Sequence, residues 1–217
     1  MSNATTTTPV PDVPRTRNRR GEGGRLRDDI VAAAAGLLDE AGDEHAVTLR
    51  SVARRVGVAA PSIYRHFPDQ PSIMLAVVRG TFAELEAALE AALAGAGTDP
   101  RNRLRALSDA YLDYASEHPG RYRTMFGGVW MPDLSQSALT ENDLVSLGGP
   151  TLGMLTDTLE ACVAEGVATS TDPAADAVAL WLGLHGLAHQ RASTVSFPWP
   201  GDIVTRLVSG LTHLDPA

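Results

Sequence analysis

The chain has 217 residues, 44% of them hydrophobic, and a formal net charge of −8, enough apolar material for one large domain or a small domain joined to a medium one. Nowhere do about eighteen uninterrupted apolar residues occur, so no membrane span is expected. The single cysteine, Cys162, cannot close an internal disulfide, which points to a cytoplasmic protein and, given its apolar flanks Leu159 and Val163, to a buried inert thiol.

Charge is unevenly spread. Residues 15–67 carry ten arginines against seven acids, a local charge of +3, whereas residues 68–217 carry eight against eighteen, or −10. A basic segment on an acidic body fits a head that faces nucleic acid and a body that does not. Residues 1–24 hold four consecutive threonines, three prolines and the cluster Arg15, Arg17, Arg19, Arg20. So few apolar side chains predict a flexible arm, either a solvated tail or a phosphate contact, and the stretch lacks the apolar segment of a signal peptide.

Beyond the arm the hydrophobic period is helical almost throughout, and no run alternates as a strand would. A first helix is expected over Arg25–Ala41, with Leu26, Ile30, Ala33 or Ala34 and Leu37 or Leu38 inward and Gly42 as its stop. Thr48 suits the N-cap of a second helix carrying Val52, Ala53 and Val56 inward, Gly57 makes a tight turn, and a short third helix runs from Ala60 to His66. Asp69 then caps a long helix whose stripe is Val78, Phe82, Leu85, Leu89 and Leu93. Asp99-Pro100 opens another, to about His118, and a shorter one reaches Phe126. After a loop around Trp130 and Pro132, a helical region from Thr140 to Gly166 is broken at Gly148-Gly149-Pro150. Asp172-Pro173 opens an apolar helix to Ser193, and a final helix runs from about 200 to 213. Nine or ten helices and no strand make an all-α protein: an arm (1–24), a three-helix head (25–70) and a helical body (71–217).

Within the head, residues 48–67 read TLRSVARRVGVAAPSIYRHF. Two short helices joined through a glycine match the helix-turn-helix, in which the first helix braces on the backbone and the second enters the major groove. Thr48, Arg50, Ser62, Tyr64, Arg65 and His66 fall on the outward side, and all can donate to phosphates or base edges.

The order of LLDEAG, T-x-R-x-V-A-x-x-V-G-V and S-I-Y-R-H-F, followed by a long linker helix, resembles the TetR family of bacterial transcriptional regulators. That resemblance implies that Thr48 caps its helix and contacts phosphate and that Arg50 reaches a base. It implies too that Ala60, Pro61, Ser62 and Tyr64 face the groove, that Tyr64 and His66 touch phosphates, and that Arg65 tunes sequence preference. Two positions depart from the family pattern. Ala59 replaces the hydroxyl N-cap of the recognition helix, and Gln70 replaces a phosphate-binding lysine.

In the body, HPGRYRTMFGG (118–128) and WLGLHGLAH (181–189) resemble the ligand-binding domain of a TetR subgroup named for a Trp-His-Gly motif, here Trp181, His185 and Gly186. The resemblance implies a small-molecule inducer bound among Tyr111, Tyr114, Tyr122, Met125, Phe126, Trp130, Trp181 and His185; the alternative is an ordinary aromatic core. His185 and His189 have the i, i+4 spacing of zinc ligands but lack a third partner, so no metal or cofactor is expected. No nucleophile elbow, phosphate loop or carboxylate pair suggests an enzyme. A dimer is expected because two heads must read two half-sites about 34 Å apart. Its interface is placed on the last two helices, through Leu180, Leu184, Leu187, Ile203, Leu207 and Leu211. The expected function is a ligand-released repressor on a palindromic operator. The rivals are a regulator without an inducer and a helical protein-interaction module.

Overall fold

The structure, a computed structural model, describes residues 22–127, 130 and 132–215; the Arg15–Arg20 cluster lies outside them. Ten α-helices follow one another, and no strand occurs among the described residues: α1 Glu22–Ala41, α2 Leu49–Val56, α3 Ala60–Tyr64, α4 Gln70–Gly95, α5 Pro100–Glu117, α6 Pro119–Phe126, α7 Glu141–Val145, α8 Gly149–Ala164, α9 Pro173–Ser193 and α10 Ile203–Leu211. The all-α expectation holds. Five boundaries move by two residues or more: α1 begins three residues before Arg25, α3 ends two before His66, α8 ends two before Gly166, and α10 begins at Ile203 and ends at Leu211. None of the described helices is long and apolar enough to cross a membrane.

The helix starts follow from capping chemistry. Thr48 and Ser51 form a reciprocal capping box at α2, and the Asp69, Asp99 and Asp172 side chains accept first-turn amides at α4, α5 and α9. Pro71, Pro100, Pro119, Pro150 and Pro173 all sit in first turns, where a missing N–H costs nothing.

Two apolar cores result. In the head, Ile30, Ala34 and Leu38 of α1 close on Val52, Ala53, Ile63 and Phe67. The head core also draws in Ile73, Met74 and Val77, so the first two turns of α4 belong to its packing. The body is built around α5, which packs against α4, α6, α8, α9 and α10. Its core runs from Leu85 and Leu89 through Leu104, Leu107 and Tyr111 to Leu159, Cys162, Leu180 and Leu184. Cys162 is fully buried there, and burial pushes its thiol pKa up, as suits an inert side chain. α4 is thus the one helix that contributes buried residues to both cores.

The segment after α6 turns back toward the head. Ala138 N donates to Asp69 Oδ2 at 2.8 Å, and Arg79 on α4 pairs with Asp143 on α7 at 2.9 Å. At the far end a single antiparallel bridge joins Ala168 to Leu214, with Thr169 N donating to His213 O at 3.0 Å.

Candidate DNA-reading head and ligand cavity

The angle between α2 and α3 is set by their shared core and by Gly57, whose φ of 77° few residues with a side chain adopt. Ile63 and Phe67 point inward and are buried, while Tyr64 is 59% exposed. Pro61 and Arg65 are exposed with it, Ser62 and His66 are half-buried, and Ala60 is half-buried against the head core. On α2, Arg50 and Arg54 point to solvent, and neither they nor Arg65 enter an ion pair among the described residues. Arg55 is different, held by Glu40 of α1 at 3.0 and 2.5 Å. Arg54 was missed as a candidate; its signal was its place one turn beyond Arg50.

Thr48 is committed to capping: its Oγ1 accepts Ser51 N at 3.0 Å, and its own N–H donates to Ser51 Oγ at 2.9 Å. Ala59 takes the extended N-cap conformation without a side-chain acceptor, so the start of α3 is held by the backbone bond from Ser62 N to Ala59 O at 2.8 Å. Gln70 donates to Glu44 O at 3.0 Å, so it braces the turn before α2. Arg27 lies 5.0 Å above the Phe67 ring, a cation–π contact that ties α1 to the end of the recognition segment.

In the body, α5, α6 and α9 bring Tyr111, Tyr122, Phe126, Trp181 and His185 together. Tyr122 OH lies 2.6 Å from His185 Nδ1 and 3.1 Å from Tyr111 OH. Phe126 meets the His185 ring edge-to-face at 5.0 Å, and Trp181 lies 5.8 Å from it. Burial, with His189 adding to it, lowers the His185 pKa, so the imidazole is neutral near pH 7. Burial likewise raises the tyrosine pKa values, to about 12 for Tyr122. Every member of the group is therefore uncharged. A neutral imidazole accepting the Tyr122 hydroxyl at Nδ1 carries its proton on Nε2.

This aromatic wall divides two cavities. One, of about 270 Å³, is lined by Phe82, Phe126, Leu147, Gly148, Gly149, Thr151, Leu152 and Trp181. The other, of about 330 Å³, lies between α5, α6 and the end of α9 and includes Tyr122, Arg123, His185, His189 and Ser193. Of the expected pocket residues, Tyr111, Tyr114 and Met125 line neither, and Tyr111 is buried in the body core. Tyr114 is buried with its hydroxyl on Thr81 O at 3.3 Å, serving the α4–α5 contact, and Met125 packs half-buried on the body core. Trp130 corrects the expectation more sharply. It packs against the head core, because the chain after α6 returns toward the start of α4. Sequence reasoning missed Phe82, Thr151 and Leu152 as cavity residues: Phe82 read as one member of a core stripe, and Gly148-Gly149-Pro150 read only as a break.

The proposed dimer contacts need a similar correction. Leu180, Leu184 and Leu187 are 0–5% exposed in the body core, and Leu207 and Leu211 pack on α9, where a Cβ on Gly183 would lie 2.9 Å from Leu211 Cδ1. The outward stripe of α9 is instead Ala175, Val178, Leu182, Gly186 and His189. Leu182 is 55% exposed, and nothing lies within 4 Å of where a Gly186 Cβ would be.

A helix-turn-helix head joined by one long helix to an all-helical body defines a class of DNA-binding regulator. The description "Bacterial regulatory proteins, tetR family" matches residues 30–77, and "Tetracyclin repressor-like, C-terminal domain" matches residues 104–213. The chain belongs to the TetR family. Neither description names the Trp-His-Gly subgroup. Relatives include the HTH-type transcriptional activator FasR of Mycolicibacterium smegmatis, 32% identical over 129 residues covering 53% of this chain and 58% of that protein. The HTH-type transcriptional regulator BetI of Stenotrophomonas maltophilia is 31% identical over 113 residues, 52% of this chain and 57% of that protein. The chain thus matches little more than half the length of these relatives. Among solved structures, a protein of unknown function from Rhodococcus sp. RHA1 superposes with a TM-score of 0.71 at 25% identity, covering 93% of this chain and 97% of that one. FadR of Bacillus subtilis, solved in complex with stearoyl-CoA, has a TM-score of 0.65 at 14% identity over 86% of this chain and 97% of its own, a likeness of fold.

Proposed function

We propose that this protein acts in the cytoplasm as a dimeric repressor, binding a two-fold-related operator and released when a small molecule fills the body. In this reading Thr48, Arg50, Ala60, Pro61, Ser62, Tyr64, Arg65 and His66 form the DNA face, with Arg54 added to the phosphate contacts. The reading rests above all on α4. Its first turns are part of the head core at Ile73, Met74 and Val77, and Phe82, just over a turn further on, walls the 270 Å³ cavity. A ligand that displaces the Phe82 ring moves the helix on which the head is built. The cavity loop presses closely on that ring: a Cβ on Gly148 would fall 2.9 Å from Phe82 Cε1. Shifting occupancy of the operator from 99:1 to 1:99 takes roughly 5.5 kcal/mol of differential binding, which two cavities in a dimer can share.

Trp181, His185 and Gly186 support a place in the Trp-His-Gly subgroup. Dimerisation through α9 and α10 is supported by Val178 and Leu182, large apolar side chains of α9 that stay exposed among the described residues. The FasR relative is named an activator, which favours activation as a second reading.

The deciding experiment is a gel shift of full-length protein on the DNA flanking its own gene. Arg65→Ala should weaken specific binding roughly tenfold or more while leaving binding to unrelated DNA nearly unchanged. Equal binding by both proteins, with unrelated DNA competing equally well, would sink the assignment. A reporter that rises on deletion of the gene marks a repressor, and one that falls marks an activator.

A further inference from the structure

Behind the 330 Å³ cavity, three polar groups form a chain whose direction the packing fixes. Tyr111 OH lies 3.1 Å from Tyr122 OH, which lies 2.6 Å from His185 Nδ1; Tyr111 OH is itself 3.5 Å from that nitrogen. Tyr111 is 2% exposed, and its hydroxyl has no other partner among the described residues. Were Nδ1 to carry the imidazole proton, it would donate to Tyr122 and Tyr122 to Tyr111, leaving the Tyr111 proton buried without an acceptor. The opposite direction satisfies every group: Tyr111 donates to Tyr122, Tyr122 donates to Nδ1, and the imidazole proton sits on Nε2. That Nε2 makes no hydrogen bond among the described residues and, unlike the Thr151 hydroxyl, is not occluded. His185 lines the 330 Å³ cavity and not the smaller one, so its N–H opens on the larger space.

A cation lines the same cavity. Arg123, in the last turn of α6, enters no ion pair among the described residues. Its guanidinium lies toward the end of α1, 3.7 Å from where a Gly42 Cβ would stand, and no carboxylate pairs with it there. No Asp or Glu lines the cavity, and its apolar walls include the rings of Tyr122 and Phe126 with Ala115, Pro119, Ala188 and Ala192.

We infer that this cavity binds a small aromatic carboxylate, with one oxygen accepting from His185 Nε2 and the charge met by Arg123 turned in from the end of α1. A carboxylate answers both a fixed N–H and an unpaired guanidinium, and such charge-assisted bonds are the strong ones. An ammonium would face a cation and a donor with no carboxylate to receive it. Size restricts the rest of the molecule: about 330 Å³ is at the lower end of the roughly 300–1,000 Å³ of pockets for drug-sized ligands, which points to one or two rings. The inference rests on the reading of the body as a ligand-binding domain, and it seats the ligand across the aromatic wall from Phe82. Phe126 lines both cavities and meets Phe82 edge-to-face at 5.6 Å, so a ring pressed on Phe126 still acts on α4.

The test is calorimetric titration of the full chain with 1-naphthaleneacetate and with the neutral 1-naphthaleneacetamide, repeated on Arg123→Met and His185→Phe. The carboxylate should bind at least about tenfold more tightly than the amide, and Arg123→Met should erase that preference by weakening the carboxylate alone. His185→Phe should weaken both probes, about tenfold each, because each presents an oxygen to Nε2. Nitrogen NMR of the wild-type protein reads the chain without any substitution: His185 should carry its proton on Nε2, and the carboxylate should shift that signal. Equal affinity for the two probes, an unaffected Arg123→Met protein, a proton on Nδ1, or no binding of the carboxylate overturns the inference. Carboxylate binding that depends on Arg123 but leaves the operator complex intact supports it and counts against ligand release instead.

Discussion

His185 shows how a side chain that sequence spacing offers as a metal ligand becomes part of a neutral relay. Its Nδ1 is taken by the Tyr122 hydroxyl at 2.6 Å, and Tyr122 is in turn within 3.1 Å of Tyr111 OH. Because burial lowers the His185 pKa, the unfolded chain takes up a proton near the ordinary imidazole value of about 6.5 while the folded chain does not. The stability this group contributes is therefore complete above about pH 6.5 and is lost as pH falls through the folded value. Thermal melts from pH 7.5 to 5.5 should show a declining midpoint, and His185→Phe should flatten the decline. A slope identical in both proteins would assign it to other groups. Phe67, the last residue of Y-R-H-F, is 2% exposed in the head core under Arg27, which leaves Tyr64, Arg65 and His66 as the outward residues of that run.

Among the elements, α3 is the least secured. It has five residues, an N-cap without a side-chain acceptor, and only Ile63 fully buried. Ala59 already adopts the extended N-cap backbone, so Ala59→Ser needs no backbone rearrangement to bring a hydroxyl to the Ser62 amide, which now donates to Ala59 O. The substitution should stabilise the head by about 1 kcal/mol, read as a shift in the denaturant midpoint at unchanged slope. An unchanged or lowered midpoint would show that the Ser hydroxyl does not reach the α3 amides. The Gln70 position teaches a related lesson. Its amide reaches Glu44 O across 26 residues of sequence, so the exchange of a phosphate-binding charge for a neutral donor is used inside the head. α4 has the opposite character, long, capped by Asp69 and buried at Ile73, Met74, Val78, Phe82, Leu85 and Leu89, which makes it a stiff lever between the two cores.

At the scale of the whole molecule, the unassigned surface is the outward stripe of α9. Leu182→Glu places a charge at the middle of that stripe without touching the body core. The variant should sediment as a monomer, keep its helical content, and lose operator affinity because one head reads one half-site. A dimer that survives the substitution would move the interface elsewhere.

Sequence alone determined the helical class, the order of the elements and the reading pair at 48–67, because those depend on local chemistry: a 3.6-residue apolar period, Asp and Thr caps, first-turn prolines and the Gly57 turn. It also placed Tyr111, Tyr122, Phe126, Trp181 and His185 in one group, through two motifs on α6 and α9 with Tyr111 of α5 added to them. Tertiary structure decided what each apolar face meets. α9 carries two apolar stripes, and periodicity cannot tell the one at Leu180 and Leu184, which α5 and α8 cover, from the one at Val178 and Leu182, which stays exposed among the described residues. Trp130 went to the head for the same reason, since the path of a loop is set by long-range partners such as Asp69 and Ala138.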